Sequence, residues 1–227
     1  QMPLKTTSFK EWATQLTDHA SSKIAASEKE YWRDLAKRPI TNLPVDFPFG
    51  VNDEHNEVGV SKSLTMGETK ALLQTVPPVY NTQINDILLT ALLLGFFRWT
   101  GMRSILINLE GHGREDLFDN VDISRTVGWF TSMYPVYLDL GIAAKHDDII
   151  KSIKEQLRCI PNKGIGFGML RYLNDDSELQ EKLKLLDQAQ ITFNYLGQFD
   201  QVLPENSPFA PATEDKGRDH DPDCTRD

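Results

Sequence analysis

A chain of 227 residues, 40% hydrophobic and 25% charged, is long enough to bury the core of one domain or one large lobe. Its net charge of −9 and the lack of a basic stripe argue against a nucleic-acid partner, because phosphate-binding surfaces are built from clustered Lys and Arg. Cys159 and Cys224 are too far apart for a metal motif and too few for a disulfide framework, which suits reduced thiols in the cytoplasm.

Residues 8–37 carry helical spacing. Phe9, Trp12, Ala13 and Leu16 recur at three and four, and Tyr31, Trp32 and Leu35 follow after a polar break at Ser21–Ser22, so two amphipathic helices or one kinked helix open the sequence. Pro39, Pro44, Pro48 and Gly50 make the stretch from Arg38 to Gly50 an extended connection. Alternation at Val58, Val60 and Leu64 predicts a strand. Thr65 or Thr69 then starts a short helix through Ala71, Leu72 and Val76, which Pro77–Pro78 stop.

The apolar run from Ile84 to Trp99 is interrupted by Asn85, Asp86, Thr90 and Arg98. It falls short of the roughly 20 apolar residues that span a bilayer, so it reads as a core helix packed on more than one side, ending at Gly101. No charged start followed by an apolar segment and a cleavage site opens the sequence, so no export signal is expected. Residues 104–109 form a β-prone run that delivers the chain to Glu110. A second β-like stretch spans Thr126 to Leu140, interrupted at Pro135, and a helix through Ile149, Ile153 and Leu157 follows, with Asp147 or Asp148 as its cap. Ser177 and Gln180 form a capping-box pattern for a further helix, and Ile191–Leu196 is the last strand. Interleaved helices and strands favour an α/β layered fold. The body is expected to fold over residues 1–205, with residues 206–227 a polar, disordered tail or linker.

Chemistry concentrates at Glu110-Gly111-His112-Gly113-Arg114-Glu115, four ionisable groups at the end of a predicted strand. Such a segment either displays an acid or base or is a solvated turn whose charges pair with one another. Glu110 and His112 can share one strand face, but no third and fourth metal ligand with suitable spacing stands nearby. The glycines of "PNKGIGFG" at 161–168 do not have the GxGxxG spacing, and a flexible loop is the expected reading. There is no GxSxG and no HExxH. Asn194 and Tyr195 lie in a strand-like run whose alternation sends them to opposite faces unless a bulge intervenes. Trp129 and Phe130 suit packing.

Five segments in fixed order resemble the epimerization domains of nonribosomal peptide synthetases, members of the condensation-domain superfamily. They are "NDILLTALLLGFF" at 85–97, "EGHGRE" at 110–115, "RTVGWFTSMYPV" at 125–136, "PNKGIGFG" at 161–168 and "FNYLGQFD" at 193–200. The resemblance covers most of residues 8–203 and implies one lobe of a V-shaped, two-lobed fold like that of chloramphenicol acetyltransferase, a mixed sheet with flanking helices. It also places a catalytic histidine, in an HHxxxDG motif, on an N-terminal lobe. These residues contain no adjacent His pair, so half of the active site is expected to lie outside them and the lobe alone to be inactive.

The implied reaction converts an L-aminoacyl or peptidyl thioester, carried on the phosphopantetheine of a peptidyl carrier domain, to its D-epimer by removing and returning the α-proton. That chemistry needs a base near the proton and donors for the developing enolate oxygen. By resemblance Glu110 is the proton-transfer group, Asn194 and Tyr195 assist at the thioester, His112 and Arg114 shape the turn, and Trp129 and Phe130 line the tunnel floor. No cofactor or metal is expected on this chain. The expected partners are the carrier domain, the N-terminal lobe and adjacent synthetase modules, with no membrane. A condensation lobe forming amides and a non-catalytic lobe that docks a carrier are the alternatives, and an uncovered tunnel face is expected to self-associate.

Overall fold

The computed structural model describes residues 4–21, 26–142 and 145–198, together with positions 207, 208, 212, 214, 217 and 221. Packing divides the chain into two compact units, residues 1–43 with 72–195 and residues 44–71 with 196–227. Helices α1 (Phe9–Ser21) and α2 (Ala26–Leu35) open the chain, α3 (Met66–Lys70) belongs to the smaller unit, and α4 (Val76–Tyr80) and α5 (Ile84–Thr100) lead to β1 (Ser104–Gly111). Strand β2 (Ser132–Asp139), α6 (His146–Arg158), α7 (Ile165–Gly168), α8 (Ser177–Leu183) and β3 (Thr192–Phe193) complete the order. The expected tail, Cys224 and the end of the 193–200 motif lie largely outside the described residues.

The sheet is mixed, in the order β2-β1-β3. Strands β1 and β2 run antiparallel from Ser104↔Asp139 to Gly111↔Ser132, while β3 joins β1 in parallel through Asn108↔Thr192 and Leu109↔Phe193. One face of the ladder, Ile105, Ile107, Val136 and Leu138, is buried against a core that includes Leu89 and Leu93 of α5 and Ile149 and Ile153 of α6. This α/β arrangement with flanking helices is the fold class expected above.

Pro135 does not interrupt β2. The Leu140 N–H donates toward the β1 side, to Arg103 O at 2.9 Å, whereas the Asp139 N–H donates away from it, to Gln156 Oε1 at 2.9 Å. Alternation therefore turns the backbone of residue 135 outward, where a missing N–H removes no ladder bond. The Gln156 amide closes the same edge by donating to Asp139 O at 2.8 Å.

Several local expectations change. Residues 57–65 form no strand: Val58 and Val60 are exposed, and an alternating pattern specifies a strand only when one face is buried. Pro77–Pro78 stand in the first turn of α4 and begin it, since a missing N–H costs nothing there. Thr65 is the cap of α3, with Glu68 accepting its N–H at 2.8 Å. Asp176 rather than Ser177 caps α8, accepting the Leu179 N–H at 3.0 Å. Lys145 occupies the cap position of α6 without a side-chain cap, and Asp147 accepts the Tyr80 hydroxyl instead. On α5 the stripe Asp86, Leu89, Thr90 and Leu93 is buried, and Leu92, Leu94, Phe96 and Phe97 pack half-buried against the same core, as expected of a helix covered on more than one side, while Trp99 is exposed. Among the described residues no helix is long and apolar enough to cross a membrane.

The "PNKGIGFG" segment is a left-handed turn over its first half, as a loop reading allows at Gly164, but its second half, Ile165–Gly168, is helical. Asn162 and Lys163 adopt left-handed backbone angles, and the chain then enters α7 and a π-turn over Met169–Leu173. The reason lies in α2. Glu28 is buried, its Oε2 accepts the Asn162 side-chain N–H at 2.9 Å, and its Oε1 packs so closely on Gly166 that an added Cβ would fall 1.6 Å away. The Oε1 and the Trp32 indole N–H are both buried and do not reach good hydrogen-bond geometry. Desolvation raises the Glu28 pKa, and the Asn162 amide and the Trp32 indole pull it back only in part.

A carboxyl with a raised folded-state pKa contributes stability that is fully present below its ordinary value of 4.5 and is lost as pH rises through the raised value. Glu28→Gln is therefore expected to melt at the same temperature as wild type below pH 4.5. At neutral pH it should melt roughly 2–4 °C higher, in paired thermal melts across that range.

Candidate active site

Alternation along β1 puts Ser104, Leu106, Asn108 and Glu110 on one face, opposite the buried Ile105, Ile107 and Leu109. Glu110 is half-buried at the strand's end, directly across from Met133 on β2. On its other side the parallel pairing ends at Leu109↔Phe193, and the next residue, Asn194, donates its side-chain N–H to Glu110 Oε2 at 2.6 Å. This bond holds the carboxyl group of Glu110 against Asn194.

The turn after Glu110 is held by its own residues. Gly113 has a φ of 66° and lies so near the Phe130 carbonyl that a Cβ would fall 1.6 Å from the oxygen, so only glycine fits. His112 Nδ1 accepts the Arg114 N–H at 3.0 Å, and His112 Nε2 lies 3.4 Å from Glu115 Oε1. The second Glu115 oxygen accepts Lys163 Nζ at 2.8 Å, which ties the turn to the 161–168 segment. Arg114 folds back to donate to Ile123 O and, at 2.9 Å, to Thr126 O, and its guanidinium stacks 4.0 Å above the Phe130 ring. Phe130 is buried and meets Phe9 edge-on at 5.0 Å.

The structure thus brings Glu110 and Asn194 into contact and builds His112, Arg114 and Phe130 into the adjoining turn. Tyr195 is half-buried, and among the described residues it is not joined to Glu110 by a hydrogen bond. The regular strand ends at Phe193, so the bulge considered for Asn194 and Tyr195 is not needed to bring Asn194 to Glu110. Trp129 is 82% exposed and forms a rim.

Beside this end of the sheet opens a cavity of about 590 Å³, walled by Trp12, Trp129, Phe130, Met133, Phe167 and Met169. Sequence reasoning missed Asn108 and the Glu115–Lys163 pair. Asn108 left a signal, a polar residue in an apolar β run two positions before Glu110. The pair left none, because its partners are 48 residues apart.

Known proteins resemble this chain in sequence and, where solved, in fold. The Condensation domain family model matches residues 1–217. A linear gramicidin synthase protein of Brevibacillus parabrevis is 51% identical over 218 residues, 96% of this chain and 3% of that protein. Surfactin synthase subunit 1 of Bacillus subtilis (strain 168) is 43% identical over 224 residues, 94% of this chain and 6% of that protein. The solved epimerization domain from the third module of tyrocidine synthetase B superposes with a TM-score of 0.87 at 40% identity, all of this chain matching 50% of that one. The first condensation domain of the CDA synthetase shares the fold, with a TM-score of 0.56 at 14% identity. The chain therefore spans a small fraction of the synthases and half of the solved epimerization domain.

Arg114→Lys is expected to destabilise the protein by about 1.5–3 kcal/mol, because an ammonium cannot reach both carbonyls and stack on Phe130 at once. Chemical denaturation of the two proteins side by side measures it.

Proposed function

The chain belongs to the condensation-domain family, and on that premise we propose that it is the C-terminal lobe of an epimerization domain, with Glu110 as its proton-transfer carboxylate. The observation that carries the reading is the 2.6 Å bond from Asn194 to Glu110, which holds an acid on the same strand face as Asn108 of the cavity lining. The likeness to a solved epimerization domain supports it, as does the "EGHGRE" and "FNYLGQFD" pair that supplies these two residues.

The substrate is an L-aminoacyl or peptidyl thioester delivered on the phosphopantetheine arm of a carrier domain. Glu110 takes the α-proton, and the C–H electron pair moves into the thioester carbonyl to give an enolate. A proton returned to the opposite face by an acid on the N-terminal lobe gives the D-epimer and leaves Glu110 protonated until solvent resets both groups. Catalysis of this kind works best when the carboxylate is held in hydrogen-bonding reach of the proton, which the Asn194 contact favours. Tyr195 lies one residue further along and is assigned to the thioester side of the site, while His112 and Arg114 support the turn. Carrier domain, N-terminal lobe and neighbouring modules are the partners, and the setting is cytoplasmic antibiotic and secondary-metabolite biosynthesis.

One observation favours a second reading, amide formation by a condensation lobe: the matching family model carries the name Condensation domain. The two are separated by their products. In the two-lobed domain, Glu110→Gln is expected to slow appearance of the D-aminoacyl product by about 10²–10⁴-fold, the usual contribution of a general acid or base. Chiral analysis of residues released from the carrier reads this out. Wild-type D-product from Glu110→Gln would remove the assignment, and a dipeptidyl product without any D-isomer would establish condensation instead.

A further inference from the structure

The cavity beside Glu110 is not uniform. Asn108, Thr131 and Ser132 form its polar part, and all three sit at the sheet: Asn108 two residues before Glu110 on the same face, Ser132 paired with Gly111. Away from the sheet the wall is apolar, with Trp12 and Leu16 from α1, Phe167 from α7, and Met169 and Leu173 from the turn that follows it. Among the described residues, no carboxylate, amine or guanidinium lines it. At about 590 Å³ it is in the range of small-molecule sites, far larger than a methyl group requires.

We infer that this cavity is the side-chain pocket for the residue undergoing epimerization, and that it selects large apolar side chains, aromatic or branched aliphatic, over charged ones. The inference rests on the epimerase reading above. With the α-carbon at Glu110, a side chain directed along the Asn108–Met133 face enters the apolar part. There a carboxylate or ammonium loses its hydration without gaining a partner, whereas a phenyl or isobutyl group leaves water for Trp12, Phe167 and Met169. The thioester stays with the polar groups at the sheet.

Two positions allow the pocket to be filled without removing any core contact. Ala13 is exposed on α1 and lines the cavity, and Gly168 lines it too, with open space where a Cβ would lie and ordinary helical angles. The experiment loads a carrier with L-Phe, L-Leu, L-Ala or L-Asp and follows α-deuterium uptake in heavy water, using the two-lobed domain as wild type, Ala13→Trp and Gly168→Leu. Wild type is expected to exchange Phe and Leu at least about tenfold faster in kcat/KM than Asp, and each filled variant to lose at least about tenfold more on Phe than on Ala. A change in the ratio between two substrates on one preparation is not produced by partial misfolding. Phe and Asp exchanged within about twofold of each other, or equal losses on Phe and Ala, would overturn the pocket assignment and leave the epimerase reading standing. Exchange of none of the four by folded wild type would overturn the epimerase reading, and the pocket with it.

Discussion

A carboxylate at a strand end is useful only if something fixes where its oxygens lie, and here the parallel pairing of β1 with β3 does so. Two register pairs, Asn108↔Thr192 and Leu109↔Phe193, carry a segment from the far end of the chain alongside β1. The next residue, Asn194, then bonds Glu110 at 2.6 Å. A one-residue slip would turn Asn194 to the other face and leave the carboxylate without that donor. The antiparallel ladder on the other side sets the remaining boundary, placing Met133 opposite Glu110 and the Phe130 carbonyl against Gly113. Both neighbours of β1 therefore converge on the same few ångströms.

The second support runs through helices. Segment 161–168 is caught between the buried Glu28, which accepts from Asn162, and Glu115, which accepts from Lys163. The Asn162 bond involves a partly desolvated carboxyl, and the Lys163 bond is to a largely buried one. Because Lys163 is exposed, its ion pair is worth only about 0–1 kcal/mol, the scale of a surface pair, whereas the Glu28 bond lies in the core. They hold the cavity wall at Phe167 and Met169 on one side and the Glu110 turn on the other.

Much of this was legible in the sequence. The core helix, both long strands and the concentration of charge after Glu110 follow from periodicity, and the ordered motifs bring Glu110 and Asn194 together in one family pattern. What was hidden depended on partners distant in the chain. Val58 and Val60 alternate like a strand yet find no second face to cover them. Pro77 and Pro78 look like a stop but occupy the one turn of a helix that tolerates them. The glycines at 164–168 resemble a loop until Glu28, more than a hundred residues earlier, is seen to require the space above Gly166. Periodicity reports which face of an element is apolar, whereas such contacts depend on which elements meet.

The central claim is that this lobe supplies one of two proton-transfer groups acting from opposite sides of the substrate. The most direct measurement is α-carbon deuterium uptake by an aminoacyl thioester on its carrier in heavy water, with this chain alone and with an N-terminal lobe joined to it. The account predicts rapid exchange only in the joined protein, accompanied by D-product. Equal exchange by the chain alone would contradict the division of the site between two lobes, and no exchange in either would contradict the role of Glu110.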